Sequence, residues 1–263
     1  MQRSFDATAP TYGTPGDFHW NFAQRLVERA PIESGQTLLD AATGSAPVAI
    51  LAAERVGLHG HIIAIDLSQG MIKLAQQQLA TMGRGNVSLL VGDAEPLPVR
   101  ASSVDGILCS SAIVWFPSVA RALREWHRIV RRSGWIAFSC FGGLASETIN
   151  NIIINLLAPY GIAYPELTTP LNTPNKCRAV VEAAGFAQVT MQTARHRHFT
   201  TDPDASFAQA WGLARRFNIT LPPQVMDIIK AQYRVRFQAL LVDQDRWNHD
   251  YEQFVIAYKS LRG

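Results

Sequence analysis

The chain has 263 residues, 48% hydrophobic and 17% charged, which is enough apolar material to fill a sizeable core and excludes a disordered protein. A net charge of +3 is too small to imply a nucleic-acid surface by itself, so a small or neutral partner is the expectation. Cys109, Cys140 and Cys177 are odd in number and lie in apolar surroundings, and the N-terminus lacks the apolar segment of a signal peptide. A cytoplasmic protein with reduced core thiols, no metal and no membrane span is expected.

The predicted elements begin with a strand at Thr37–Ala41, followed by a small-residue helix that closes at Gly57. A second strand, Ile62–Asp66, precedes a helix capped by Ser68 whose Met71, Leu74, Ala75, Leu79 and Met82 mark one apolar face. Gly83 ends it. Val87–Ala94 is a third strand and Val104–Ser111 a fourth. Ser118 opens the next helix, with Val119, Ala122, Leu123, Trp126, Ile129 and Val130 facing the core and Gly134 closing it. Arg121, Arg124, Arg128 and Arg131 line its other side and read as a solvated face.

A fifth strand, Trp135–Cys140, follows, and then a helix and a long loop. A helix opened by Thr173-Pro174 stops at Gly185, and Ala187–Thr193 is a sixth strand. The chain from Thr200 to Asn248 is helical, and the final segment has strand composition. Alternating strands and helices predict an α/β fold: a Rossmann-like, seven-stranded, mostly parallel sheet with helices on both faces, the last strand antiparallel, plus a helical lid. The expected division is a lid segment at 1–36, a core at 37–199, a helical insertion covering the substrate at 200–250 and the last strand at 251–263.

Ligands of such sheets bind beyond the carboxyl ends of the strands, near the switch in strand order. Asp66 ends the second strand 22 positions after Gly44, close to the spacing at which an acid meets the ribose hydroxyls of an adenosine ligand. A surface Asp that caps the following helix is the competing reading. The first loop, Ala42-Thr43-Gly44-Ser45-Ala46-Pro47, has Pro47 where a dinucleotide loop needs its third glycine. Asp40 just before it would repel a pyrophosphate and would suit a ligand with an ammonium group. An NAD(P)-dependent oxidoreductase is thereby disfavoured.

The set "LLDAATGSAP", "IAIDLSQGMIKLAQ", "VGDAEPLP" and "VDGILCSSAIVWF" resembles the class I S-adenosylmethionine-dependent methyltransferases, in particular the branch similar to the quinone-biosynthesis C-methyltransferases. The resemblance spans about residues 5 to 140. It implies S-adenosyl-L-methionine as cofactor and S-adenosyl-L-homocysteine as product. Position by position it places Asp40 and the backbone of Ala42 and Gly44 at the methionine portion. Asp66 falls at the ribose, Leu67 and Met71 beside the adenine, Asp93 and Ala94 at the adenine amino group, and Ser110 near the sulfonium. Tyr12 lies in the segment that covers the cofactor in such enzymes, with packing at a domain edge as its alternative.

The family loop usually reads D-x-G-x-G-x-G, and its outer glycines are Ala42 and Ala46 here, close in size but restrictive in backbone angles. Those two alanines keep open a protein that binds S-adenosylmethionine for a non-methylating reaction such as a rearrangement.

Trp20, Trp115, Phe116 and Phe141 lie on segments that could wall a substrate pocket and favour a cationic cofactor. A base is needed only for a phenol, an alcohol or a carbon acid, and Tyr12 and His19 are the candidates, with His196 and His198 following the sixth strand. After the fourth strand stands "CSSAIVWF", where methyltransferases acting on DNA-base or glutamine amino groups carry Asn-Pro-Pro-Tyr. No Pro-Cys nucleophile and no magnesium-binding carboxylates stand there either. Nucleic-acid and metal-assisted catechol methylation are disfavoured, and methyl transfer to carbon, oxygen or nitrogen of a small, largely hydrophobic metabolite is expected.

Overall fold

The computed structural model describes residues 17–93, 96–164, 171, 173–197, 201–216, 218–243 and 249–260. Helix α1 (Phe18–Arg29) opens at Asp17, whose carboxylate accepts the Trp20 N–H, and buries Phe22, Ala23 and Leu26. Strand β1 (Thr37–Ala41) is buried along nearly its whole length, as the continuous apolar run of a central parallel strand requires. Beyond it come α2 (Pro47–Val56), β2 (His61–Asp66), α3 (Gln69–Thr81), β3 (Val87–Val91), β4 (Val104–Ser110) and α4 (Val119–Ile129). Strand β5 (Val130–Gly143), α5 (Leu144–Leu157), α6 (Pro174–Ala183), β6 (Phe186–Arg197), α7 (Pro203–Arg216), α8 (Pro223–Leu240) and β7 (His249–Lys259) complete the chain order.

The seven strands lie in the order β3-β2-β1-β4-β5-β7-β6, mostly parallel with the last strands antiparallel. Parallel register sets Asp40 against Ala64 on one side and against Leu108 on the other. The chain steps outward from β1 through β2 to β3, then returns to start β4 on the opposite side of β1. The switch in strand order is therefore the β1–β4 pair, and its carboxyl edge is where an open sheet of this kind parts to admit a ligand.

Local rules account for most boundaries. Ser68, Ser118 and Thr173 each accept a backbone N–H three residues on, from Met71, Arg121 and Lys176. Gly57, Gly83 and Gly185 take positive φ at or just beyond helix ends. One expected terminator is corrected. α4 ends at Ile129, and Val130–Arg132 join β5, so Gly134 lies inside a strand. A register shift against β4 between Val104 and Gly106 absorbs the extra residues. A Cβ at Gly134 would come within 2.5 Å of the Asp105 carbonyl, which explains the glycine. Arg131 consequently belongs to the strand and pairs with Asp105, while Arg121, Arg124 and Arg128 are exposed on α4. β6 runs to Arg197, so His196 falls inside the strand instead of after it.

By contact the chain divides into two compact units, the first drawn from residues 2–140, 170–193 and 253–263 and the second from 141–169 and 194–252. The first carries β1–β4 and their helices. Cys109, Cys140 and Cys177 are buried there as free thiols. The second is helical, with a core of Ile153, Leu156, Leu157, Phe207, Tyr233 and Phe237. Within it Tyr164 donates to the Ala210 carbonyl at 2.9 Å, and the hydroxyls of Ser206 and Tyr233 meet at 2.7 Å. No helix among the described residues is long and apolar enough to cross a membrane.

Candidate cofactor site

The turn from β1 into α2 is built on left-handed backbone. Ala42 (φ 57°), Gly44 (φ 57°) and Ala46 (φ 69°) all adopt positive φ, so the two alanines take the conformation that a glycine would accept freely. The loop is held from both sides. Thr43 N–H donates to the Ile65 carbonyl at the end of β2, and Ala46 N–H donates to the Thr43 carbonyl, both at 2.9 Å.

Two carboxylates organise this edge, by different means. Asp66 Oδ2 accepts the Gly44 N–H and Oδ1 accepts the Ser68 N–H, each at 2.8 Å. The Ser68 bond is the local turn expected of an acid that precedes a helix cap. The Gly44 bond goes further, linking the end of β2 to the first loop. Asp66 also accepts the Gly92 N–H through its backbone carbonyl at 2.9 Å, so the ends of β1, β2 and β3 are joined at one residue.

Asp40 is buried within β1 and does not lie open at the loop. Its Oδ2 accepts from the Thr43 hydroxyl and, at 3.1 Å, from the Ala49 N–H in the first turn of α2. Burial pushes its carboxyl up to about 7, against the pull of those two donors, and the Asp66 charge adds to the rise. Thr43, which holds this acid, was not singled out from the sequence. An Asp followed three residues later by Thr was the only available signal.

The end of β4 completes the edge. Ser110 lies opposite Ser139 in the β4–β5 register and is half-buried. Burial, then the nearby Asp40 charge, drives the Cys109 thiol far above its ordinary range, so it stays protonated and is no nucleophile. Ser111, one residue beyond the strand, has φ 56°.

Other expected site residues are spread more widely. Met71 is buried in α3 with its N–H on the Ser68 hydroxyl, Leu67 is nearly half exposed, and Asp93 is exposed two residues past β3. Phe116 meets the Trp126 ring edge-on at 6.1 Å, which is a packing contact. Trp115 is half-buried in the short 3-10 turn Ile113–Trp115, and Trp20 and His19 are half-buried on α1. Tyr12, Ala94, His198 and the side chains of Phe141 and His196 lie outside the described residues.

Such an edge brings together a loop of left-handed backbone and two acids that repel each other, and no cluster among the described residues could hold a metal. A ligand with a hydroxylated sugar and a cationic end would donate to those two acids. The deep, solvent-free placement of Asp40 means that a cation would have to act on it through the loop or by drawing it out.

Comparison with known proteins points the same way. Residues 39–138 match the methyltransferase-domain family. The chain is 33% identical over 140 residues to an aklanonic acid methyltransferase of a Streptomyces strain, covering 53% of this chain and 64% of that protein. A Saccharothrix syringae nocamycin O-methyltransferase is 27% identical over 70% of this chain and 71% of its own length. The demethylmenaquinone methyltransferase of Geobacillus kaustophilus is 31% identical over 44% of this chain and 50% of its own. The chain thus spans between half and about seven-tenths of these relatives.

Among solved structures, the YcgJ protein of Bacillus subtilis superposes with a TM-score of 0.61 at 16% identity, over 92% of this chain and 99% of that one. Phosphoethanolamine N-methyltransferase 2 of Haemonchus contortus, solved with S-adenosyl-L-methionine, gives 0.61 at 16% identity, over 97% of this chain and 57% of that one. At this identity the two share the fold.

Proposed function

We propose that this chain, whose residues 39–138 match the methyltransferase-domain family, is a class I S-adenosylmethionine-dependent methyltransferase that transfers the methyl group to a small, largely hydrophobic metabolite. The observation that carries the reading is the switch-point edge, where Asp40 and Asp66 flank a loop already folded into its left-handed turn. Ala42 and Ala46 hold the backbone that the usual glycines would hold, which supports cofactor binding by this loop.

Asp66 would hold the ribose, and the backbone of Ala42 and Gly44 would face the amino-acid end, with Asp40 behind them. The bound cofactor supplies a methyl group on a sulfonium, already an electrophile. The protein's part is to align the acceptor with that methyl and to exclude water, which by itself converts a bimolecular encounter into an intramolecular step. A phenolic, alcoholic or carbon-acid acceptor must also lose a proton, for which Tyr12 and His19 are the assigned candidates. The relatives' names specify aklanonic acid, nocamycin and demethylmenaquinone, so these and related small molecules are the acceptors to screen first.

Thermal-shift titration with S-adenosylmethionine, S-adenosylhomocysteine and NAD tests the cofactor, and transfer of an isotopically labelled methyl group into the acceptor panel tests the reaction. Stabilisation by NAD alone would overturn the proposal. Tight S-adenosylmethionine binding without transfer to any acceptor in a broad panel would favour a non-methylating activity on the same site.

A further inference from the structure

Ser111 joins two unfavourable features in one residue. Its backbone lies in the left-handed region at φ 56°, which an L-residue with a side chain enters at a cost. Its hydroxyl oxygen is buried and has no hydrogen-bond partner among the described residues. A buried hydroxyl without a partner is costly, and strain of this kind gathers where a ligand is handled. The position is also pinned. The Ser111 N–H donates to both the carbonyl and the hydroxyl of Ser139, at 3.1 and 3.2 Å, so β5 fixes the backbone while the side chain stays uncommitted.

Its place in the fold says which ligand group is concerned. Ser111 stands one residue past β4, the strand paired to β1 with Leu108 opposite Asp40. It therefore emerges at the switch-point edge beside the first loop, the end of the site assigned to the amino-acid part of the cofactor. The groups already described there are two acids, suited to an ammonium, and a carboxylate on the same ligand needs a donor. A serine hydroxyl is such a donor.

We propose that Ser111 is a positioning residue whose hydroxyl donates a hydrogen bond to the α-carboxylate of the bound cofactor. The assignment rests on the S-adenosylmethionine reading above. It concerns neither Ser110 nor the chemistry of transfer.

Calorimetric titration of the 263-residue chain with S-adenosylhomocysteine and with methylthioadenosine, which keeps the nucleoside and lacks the amino-acid end, separates the possibilities. Ser111→Ala removes the hydroxyl and keeps the strain, and Ser111→Gly removes both. Both variants are expected to weaken S-adenosylhomocysteine binding about tenfold to a hundredfold, the worth of one hydrogen bond to a charged group, and to leave methylthioadenosine affinity unchanged. Both should melt no lower than the wild type without ligand, because a buried, unpaired hydroxyl has been removed. Unchanged S-adenosylhomocysteine affinity in the two variants would overturn the assignment. So would equal losses for the two ligands, which would mark a general effect on the site. A wild type that binds neither ligand would bring down the cofactor reading itself, and this assignment with it.

Discussion

The helical core and the carboxyl edge of the sheet treat buried polar groups in opposite ways. In the helical unit Tyr164 donates to the Ala210 carbonyl and Ser206 meets Tyr233, so hydroxyls brought in with aromatic rings arrive already paired. At the edge formed by β1, β2 and β4, a buried carboxyl is held near neutral, two alanines and a serine take left-handed backbone, and the Ser111 hydroxyl has no described partner. The first arrangement satisfies its polar groups as a stable core requires. The second gathers costs that a bound ligand would offset, which is the pattern expected of the proposed site.

The sharpest break of that contrast is Tyr233→Ala, which removes a fully buried ring that contacts Phe207 and Phe237 and leaves Ser206 unpaired. Urea denaturation should report a loss of about 4 kcal/mol. Tyr233→Phe, which keeps the ring, should lose about 1 kcal/mol. A cost below about 1 kcal/mol for the alanine variant would mean that the helical core is not the well-packed region described.

Next in size is Asp66→Ala. Its carboxylate accepts two backbone N–H groups, and the proposed site gives it the ribose as well. S-adenosylhomocysteine affinity should fall about a hundredfold, or about 2.8 kcal/mol. A loss below threefold by titration calorimetry would reduce Asp66 to the local turn that its Ser68 bond alone describes.

Asp40 offers a test in pH. Its folded carboxyl titrates at about 7 against an ordinary 3.8, with burial as the main cause. Between those values the folded state holds a proton that the unfolded chain has released. The resulting stabilisation is complete below 3.8 and is lost as pH rises through about 7. Asp40→Asn lacks that titration and can still accept from Thr43 and Ala49. Its stability relative to wild type should therefore improve by roughly 2.5 kcal/mol from pH 5 to pH 8, measured by urea midpoints. A difference independent of pH would show that Asp40 ionises as an ordinary exposed acid.

Much of this was legible in the chain because local chemistry decided it. Ser68, Ser118 and Thr173 announce helix starts by their own hydroxyls, and the acid 22 residues after Gly44 places the second strand end beside the first loop. What could not be read depends on distant partners. Gly134 looked like a helix stop because a glycine after an apolar run normally is one, whereas the nearby Asp105 carbonyl decides its role. Asp40 read as an open acid, and its burial comes from packing that no local pattern records. Ser111 carried no signal at all: "CSSA" does not reveal backbone handedness or a missing partner. Ala42 and Ala46 posed the question of whether an alanine could take a glycine's turn, and only the fold around them answers it.

That answer can itself be tested with the smallest change of the series. Ala42 is half-buried and Ala46 fully buried, and both sit at positive φ. Replacing either by glycine releases about 1 kcal/mol of left-handed strain. At Ala46 the same replacement strips a methyl group from a packed position, a loss of about 0.8 kcal/mol that nearly cancels the gain. Ala42→Gly should therefore raise stability by up to about 1 kcal/mol, while Ala46→Gly should leave it nearly unchanged, both by chemical denaturation. S-adenosylhomocysteine affinity should stay within about twofold of wild type in both, because the loop already has the shape that glycine would permit. If Ala42→Gly instead tightens binding by tenfold or more, the alanine turn is not preformed in the free protein, and the strain at this edge is relieved only when ligand enters.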